Sequence, residues 1–225
     1  MILAARSFDQ LRQHAERLNA QGARTGALAL DISAPQTFDA ALASLPPVDI
    51  LVNVSGMNKR KPFAEYSGEE YRQIMQTNLD GLFQLTQKVG QRMIERGQGG
   101  KIIFIGSVSA IRTMPYLTVY AASKAALGGL TQALAAEWGR HNIQVNLIAP
   151  GFCITDLNRE MWQAPEMITW LKSVQPTPRT ATPEEIAPLA VFLAGRGSDY
   201  ITGQSIAVDG GYSTCAVWPY APPAR

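Results

Sequence analysis

Tyr120 and Lys124 stand four residues apart in Tyr120-Ala-Ala-Ser-Lys124, inside a stretch, 119–140, whose pattern predicts a helix. Residues four apart on a helix share one face, one turn apart. An ammonium beside a phenol favours the phenolate and lowers the phenol's pKa from near 10. A phenol tuned that way can give a proton to a carbonyl oxygen, or take one from an alcohol, near neutral pH. Ser107 lies 13 residues upstream of Tyr120, just past an apolar run over 102–105. There its hydroxyl could hold the same oxygen that Tyr120 protonates. Alone, a Tyr-x-x-x-Lys pair is a frequent coincidence and Ser107 reads equally well as a turn serine. The trio is a stronger signal.

The elements that must position these groups follow from periodicity. Short continuous apolar runs at Ile2–Ala5, 27–30, 50–54, 101–105, 144–148 and Ser205–Val208 alternate with helical patterns at Phe8–Ala20, 36–45, 69–95, 119–140 and 184–193. That rhythm predicts an α/β domain, its parallel strands buried on both faces by helices. Ser67-Gly-Glu-Glu70 and Thr182-Pro-Glu-Glu185 place a hydroxyl cap before an acidic first turn. We expect one domain over 1–225. The irregular segment 152–182, with Trp162, Trp170 and three prolines, breaks the rhythm just past a strand end. Ligands bind beyond the carboxyl ends of strands in open α/β sheets, so this segment is a candidate lid. A surface insertion is the alternative.

Composition narrows the function. The chain has 225 residues, 46% hydrophobic and 17% charged, enough to bury one core. A net charge of +2 from 20 basic and 18 acidic residues offers no case for nucleic acid. The one basic run, Lys59-Arg60-Lys61, reads as a solvated loop. No run of apolar residues is long enough to span a membrane, and the apolar start is too short for a signal peptide, so the expected location is cytoplasmic. Two cysteines, Cys153 and Cys215, and two histidines leave almost no material for a disulfide framework, a metal site or a Ser-His-Asp hydrolase.

Ser107, Tyr120 and Lys124 at this spacing resemble the catalytic set of the short-chain dehydrogenase/reductases. The resemblance runs from Ile2 to Gly211. Thr77-Asn78 looks like the helix asparagine that holds a water against the lysine. Asp31 and Ile32, in Leu30-Asp31-Ile32, look like the strand-end residues that contact adenine. Asn53-Val54-Ser55-Gly56 stands where the family usually has Asn-Asn-Ala-Gly beside the cofactor. Asn146, then Pro150, Gly151, Cys153 and Thr155, resemble the segment that fixes the nicotinamide carboxamide, and Asp209-Gly210-Gly211 resembles the closing motif. The resemblance implies a Rossmann-like doubly wound sheet and direct hydride transfer between a nicotinamide and a carbonyl or alcohol carbon. Tyr120 would be the acid/base and Lys124 its tuner, gripping the nicotinamide ribose. Ser107 would position the substrate oxygen, and Asn78 would support a proton relay. It also implies a homo-oligomer, a tetramer or dimer, built on the helices holding Asn78 and Tyr120.

Two departures carry expectations of their own. Val54 and Ser55 replace the usual Asn and Ala, so local hydrogen bonds must differ although the backbone contact of Ser55 and Gly56 to the cofactor can survive. The family also has a strand, a Gly-rich turn of the form TGxxxGxG and a helix ahead of the strand that Ile2–Ala5 resembles. That unit of roughly 30 residues is missing, and its strand would sit between those formed by Ile2–Ala5 and 50–54. We expect two interior sheet edges left unpaired. A late start of the sequence, a truncation rescued by strand exchange, or a relative that no longer binds cofactor would each account for it.

Arg6 follows the first strand, where an arginine accommodates the 2′-phosphate of NADP and an acid would hold the 2′-hydroxyl of NAD. The expectation is therefore NADP, with NAD possible, and a surface arginine is the plainer reading. Gly56-Met-Asn-Lys-Arg60 and the 150–158 stretch look most like the sugar-acid branch that includes gluconate 5-dehydrogenases. The 3-oxoacyl carrier-protein reductases are the rival within the family. Lys59 or Arg60 could attract a carboxylate, and Met114, Tyr116, Trp162 and Trp170 could line the pocket. A cofactor-free relative acting as a subunit or binding protein is the alternative from another class.

Overall fold

The computed structural model describes residues 1–155 and 158–217. Asp156 and Leu157 of the expected lid and residues 218–225 of the expected domain lie outside the described residues. In chain order the elements are β1 Ile2–Ala5, α1 Phe8–Ala20, β2 Gly26–Ala29, α2 Phe38–Ala43, β3 Ile50–Asn53, α3 Gly68–Met75, α4 Gly81–Arg96, β4 Gly100–Ile105, α5 Thr118–Trp138, β5 Ile143–Pro150, α6 Arg159–Gln163, α7 Pro165–Val174, α8 Pro183–Ala194 and β6 Ser205–Val208. Every strand falls on an expected apolar run, and all pairings are parallel.

The sheet is split. β1 pairs only with β2, while β3, β4, β5 and β6 form a second sheet in that order. One edge of β1 and one edge of β3 carry no partner among the described residues. The expected burial of every strand on both faces therefore holds for only part of the structure. β4 and β5 are buried almost throughout, whereas β3 exposes alternate side chains and β1 exposes all but Leu3. Along β3, Leu51 and Asn53 turn to the core while Ile50 and Val52 are 43% and 40% exposed. Ile2 is 41% exposed. Each such side chain forgoes much of the roughly 1.5–3 kcal/mol that full burial of an aliphatic group gives.

Two helical layers flank the second sheet. On one face α4 and α5 set Leu82, Leu85, Val89, Met93 and Leu127 against Ile102, Phe104, Val145 and Leu147. On the other, Ile186 and Leu193 of α8 cover Ile103 and Ile148. Both expected capping boxes form: Glu70 Oε2 accepts from Ser67 N at 2.9 Å, and Glu185 Oε2 from Thr182 N at 3.0 Å. A third cluster, Val108, Phe152, Trp162, Leu171 and Tyr212, sits under α6 and α7.

One expected element is interrupted. The helical pattern 69–95 is a single path broken by a π-turn, Gln76–Asp80, between α3 and α4. The extra residue per turn brings Asn78 inward, where it is fully buried. Just beyond it, Gly81 is where the β2 end of the small sheet meets α4. A Cβ built on Gly81 would lie 2.0 Å from the Ile32 carbonyl oxygen, a backbone atom with no room to yield. We expect Gly81→Ala to cost about 3 kcal/mol or more by urea unfolding. A loss under about 1 kcal/mol would contradict this packing.

Candidate active site

Three of the expected site residues meet at the carboxyl end of β4. The strand ends at Ile105, and Gly106 N is tied to the Ile148 carbonyl at 2.7 Å, which fixes where Ser107 begins its loop. Ser107 is extended, and its hydroxyl accepts from Ser109 N at 3.1 Å and Ser109 Oγ at 2.8 Å. Tyr120 and Lys124 face it from the first turns of α5. Lys124 is 3% exposed, donates to the Ile105 carbonyl at 2.8 Å, and lies 5.8 Å from the Tyr120 ring centre. Gly56 flanks the ammonium, and a Cβ there would lie 3.1 Å from Lys124 Nζ. The absent side chain leaves space beside a buried cation.

The electrostatics correct one expectation. Burial pushes the Tyr120 phenol above 10, while the Ser107 hydroxyl and then the Arg60 charge pull it back. Lys124 does not figure among those causes. Burial instead lowers Lys124 itself to about 8. The pair shares a face as expected, but desolvation acts on both groups and disfavours both charged forms.

Asn78 is spent on the scaffold. Its amide oxygen accepts from Met57 N at 2.7 Å, and its nitrogen donates to the Met57 carbonyl and to Ser123 Oγ at 2.9 and 3.0 Å. Ser123 in turn donates to the Tyr120 carbonyl at 2.7 Å. Asn78 thus locks the loop after β3 onto α5, one turn from Tyr120. Ser123 was not singled out from sequence. Its place inside Tyr120-Ala-Ala-Ser-Lys124, on the side of the helix that faces α3 and α4, is the signal that points to it.

The other expected contacts divide. Arg6 and Ser55 are exposed, at the ends of β1 and β3. Asn53 is 2% exposed; its nitrogen bonds Thr86 Oγ1 at 3.0 Å while its oxygen, buried, has no partner. The Asp31 carboxylate accepts from Ser33 N and Ser33 Oγ at 2.9 and 2.6 Å, and these bonds hold it below the usual carboxylate range. Ile32 packs against Gly81. Pro150 ends β5, and Gly151 faces Asp209, whose Cα a Cβ would meet at 2.7 Å. Cys153 bridges to Ala181, with its thiol pushed up by burial and then by Glu184 and Glu185. Thr155 is exposed and its N–H is capped by Asn158 Oδ1 at 2.7 Å. Asn146 departs from expectation. It is buried in mid-strand and bonds the Ile201 carbonyl and Gln204 N, so it holds the entry to β6 rather than facing the site.

The basic run is not simply solvated. Lys59 and Lys61 both pair with Glu70, at 3.5 and 2.9 Å, and Glu70 is pulled down to about 2, chiefly by Lys61. Arg60 differs. It contacts Met161 Sδ at 3.1 Å and its charge reaches Tyr120, while no carboxylate among the described residues pairs with it.

A parallel α/β scaffold with a tyrosine, a serine and a buried lysine at one strand end defines an oxidoreductase of the Rossmann-like class. The comparisons with known proteins agree. A family profile described as enoyl-(acyl carrier protein) reductase matches residues 1–213. Gluconate 5-dehydrogenase of Gluconobacter oxydans is 33% identical over 215 residues, 94% of this chain and 84% of that protein. Galactitol 2-dehydrogenase (L-tagatose-forming) of Cereibacter sphaeroides is 37% identical over 222 residues, 97% and 85% of the two chains. The crystal structure of a gluconate 5-dehydrogenase from Burkholderia cenocepacia, in complex with NADP and tartrate, superposes with a TM-score of 0.89 at 33% identity, covering 96% of this chain and 86% of that one. The chain belongs to the short-chain dehydrogenase/reductase family. No helix among its described residues is long and apolar enough to cross a membrane.

A lysine whose folded pKa lies below its unfolded value binds fewer protons when folded. Its burial therefore costs stability below about pH 8, and that cost fades as pH rises toward the unfolded value near 10.5. We expect Lys124→Met to be more stable than wild type at pH 7, by on the order of 3 kcal/mol in the cofactor-free protein, with the gap closing by pH 10. Thermal unfolding of both proteins across that range checks it.

Proposed function

We propose that the protein is an NADP(H)-preferring oxidoreductase that interconverts a secondary alcohol and a ketone on a sugar acid or similar polar substrate. The observation that carries the reading is the meeting of Tyr120, Ser107 and buried Lys124 with Arg60 as a charged neighbour. In this reading Tyr120 passes the proton to or from the substrate oxygen and Ser107 orients that oxygen. Lys124 holds the nicotinamide ribose. Its ammonium has three donors and, among the described residues, one acceptor, leaving two for a ligand. The space beside Gly56 suits that ribose. Asn78 and Ser123 keep Tyr120 in register with the loop after β3. The dinucleotide supplies the hydride when bound.

The adenosine end is held by fewer groups. Arg6 favours a 2′-phosphate, Asp31, Ile32, Asn53, Ser55 and Gly56 line the approach, and Pro150, Gly151, Cys153 and Thr155 flank the carboxamide side. No Gly-rich turn is present among the described residues to cradle a pyrophosphate. A second reading is a cofactor-free relative acting as a subunit or binding protein. NADPH fluorescence titration separates the two: saturable binding is expected, and its absence would sink the oxidoreductase reading for this chain.

Arg60 supports the acidic substrate. It is the member of the basic run left without a carboxylate among the described residues, and its charge acts on Tyr120. Gluconate 5-dehydrogenases among the relatives point the same way. Residues 152–182 act as the lid, residues 1–225 as one domain, and the α4 and α5 faces as the contact of a homo-oligomer. We expect Arg60→Met to raise KM for a sugar keto acid about tenfold or more while leaving KM for an uncharged keto sugar within about twofold, since a charged hydrogen bond contributes roughly 1.5–3 kcal/mol. Equal effects on both substrates would remove Arg60 from carboxylate recognition.

A further inference from the structure

We infer that Tyr212, gripped by Arg112, is a positioning residue that clamps α6 and α7 over the Ser107–Tyr120 site. The inference rests on the reading of 152–182 as a lid. Three parts of the chain far apart in sequence meet at the Tyr212 ring: the lid, the loop between β4 and α5, and the turn after β6.

The lid is sewn down at its two feet. Ala181 N donates to the Phe152 carbonyl at 2.8 Å and Ile154 N to the Ala181 carbonyl at 2.9 Å. Past α7, Thr177 N reaches the Gly210 carbonyl at 3.1 Å. Between these points the two short helices lie on an aromatic cluster. Phe152 packs against Trp162 and Trp170 with ring centres 5.2 and 5.4 Å apart. Tyr212 closes the cluster from the body of the protein. Its ring is 3% exposed and meets Phe152 edge-on at 4.7 Å and Trp170 at 6.4 Å. Offset and edge-on rings at such separations attract beyond their simple burial.

Arg112 fixes that ring from the opposite side. Its guanidinium lies 4.5 Å from the Tyr212 ring centre, and Nη1 donates to the Tyr212 carbonyl at 2.6 Å. Arg112 N itself donates to the Val108 carbonyl at 2.8 Å, one residue beyond Ser107. The turn carrying Tyr212 is preformed: Asp209 accepts from Gly211 N and Ser213 N at 2.9 and 2.8 Å. The clamp therefore ties lid position to the loop bearing Ser107. It also sets Met161 of α6 against Arg60.

The test uses the full chain. Hydrogen exchange is followed over 159–174 in wild type, Arg112→Met, Tyr212→Leu and Tyr212→Phe, with 100–105 and 143–150 as core references. Lid amides are expected to exchange about tenfold faster in Arg112→Met and Tyr212→Leu, with the core references unchanged and Tyr212→Phe like wild type. In turnover, KM for a sugar keto acid is expected to rise several-fold with KM for NADPH unchanged. Unchanged lid exchange in both variants overturns the clamp. So does equal acceleration of the core references, which makes the pair merely structural, and so does a Phe variant as fast as Leu. Absence of wild-type turnover would contradict the oxidoreductase reading alone, because the exchange comparison decides the clamp without it.

Discussion

A lysine ammonium withdrawn from water is held cheaply only where acceptors replace its hydration, and among the described residues Lys124 has a single acceptor, the Ile105 carbonyl. Much of the site is arranged around that shortfall. The bond anchors α5 to the end of β4, which sets Tyr120 opposite Ser107. Gly56 keeps the other side of the ammonium free of side chain. Asn78, drawn inward by the π-turn, binds the loop that brings Gly56 there. The lowering of the Lys124 pKa to about 8 records what that burial costs.

The split sheet is the second constraint. Among the described residues, main-chain groups along the outer edges of β1 and β3 make no ladder, and Ile2, Ile50 and Val52 are left partly in water. The small sheet is held to the rest through side-chain packing, with Phe38 and Leu42 of α2 in the main core and the Ile32–Gly81 contact at the head of α4. Lys88 and Asp39 add an ion pair at 2.7 Å on the rim, where solvent weakens it. The end of the larger sheet that carries Ser107, in contrast, is built on β4 and β5, its most deeply buried strands.

Much of this was legible in the sequence because it depends on local pattern. Apolar runs gave strand positions, hydroxyl–acid pairs gave helix starts, and the Tyr120–Lys124 spacing gave a shared helix face. What escaped depends on tertiary packing. Burial, which decides the pKa of both groups, is invisible in spacing, so the expected lowering of the Tyr120 phenol came out reversed. Asn146 reads like a cofactor contact in linear order, but the strand's alternation turns it toward the β6 loop. The pairing of Lys59 and Lys61 with Glu70 needed the fold of 59–70, and Arg60 stands out only once its neighbours are neutralised. The meeting of Arg112 with Tyr212, 100 residues apart, has no local signature at all.

In the proposed reaction Tyr120 moves a proton while a hydride passes between nicotinamide and a substrate carbon. That passage is read by the transfer of deuterium from NADPH carrying deuterium at both C4 positions to a sugar keto acid, followed by mass spectrometry of the product alcohol. The proposed reaction requires label in the product with wild type and a rate about 10²–10⁴-fold lower with Tyr120→Phe. Product without label, or equal rates for the two proteins, would contradict it.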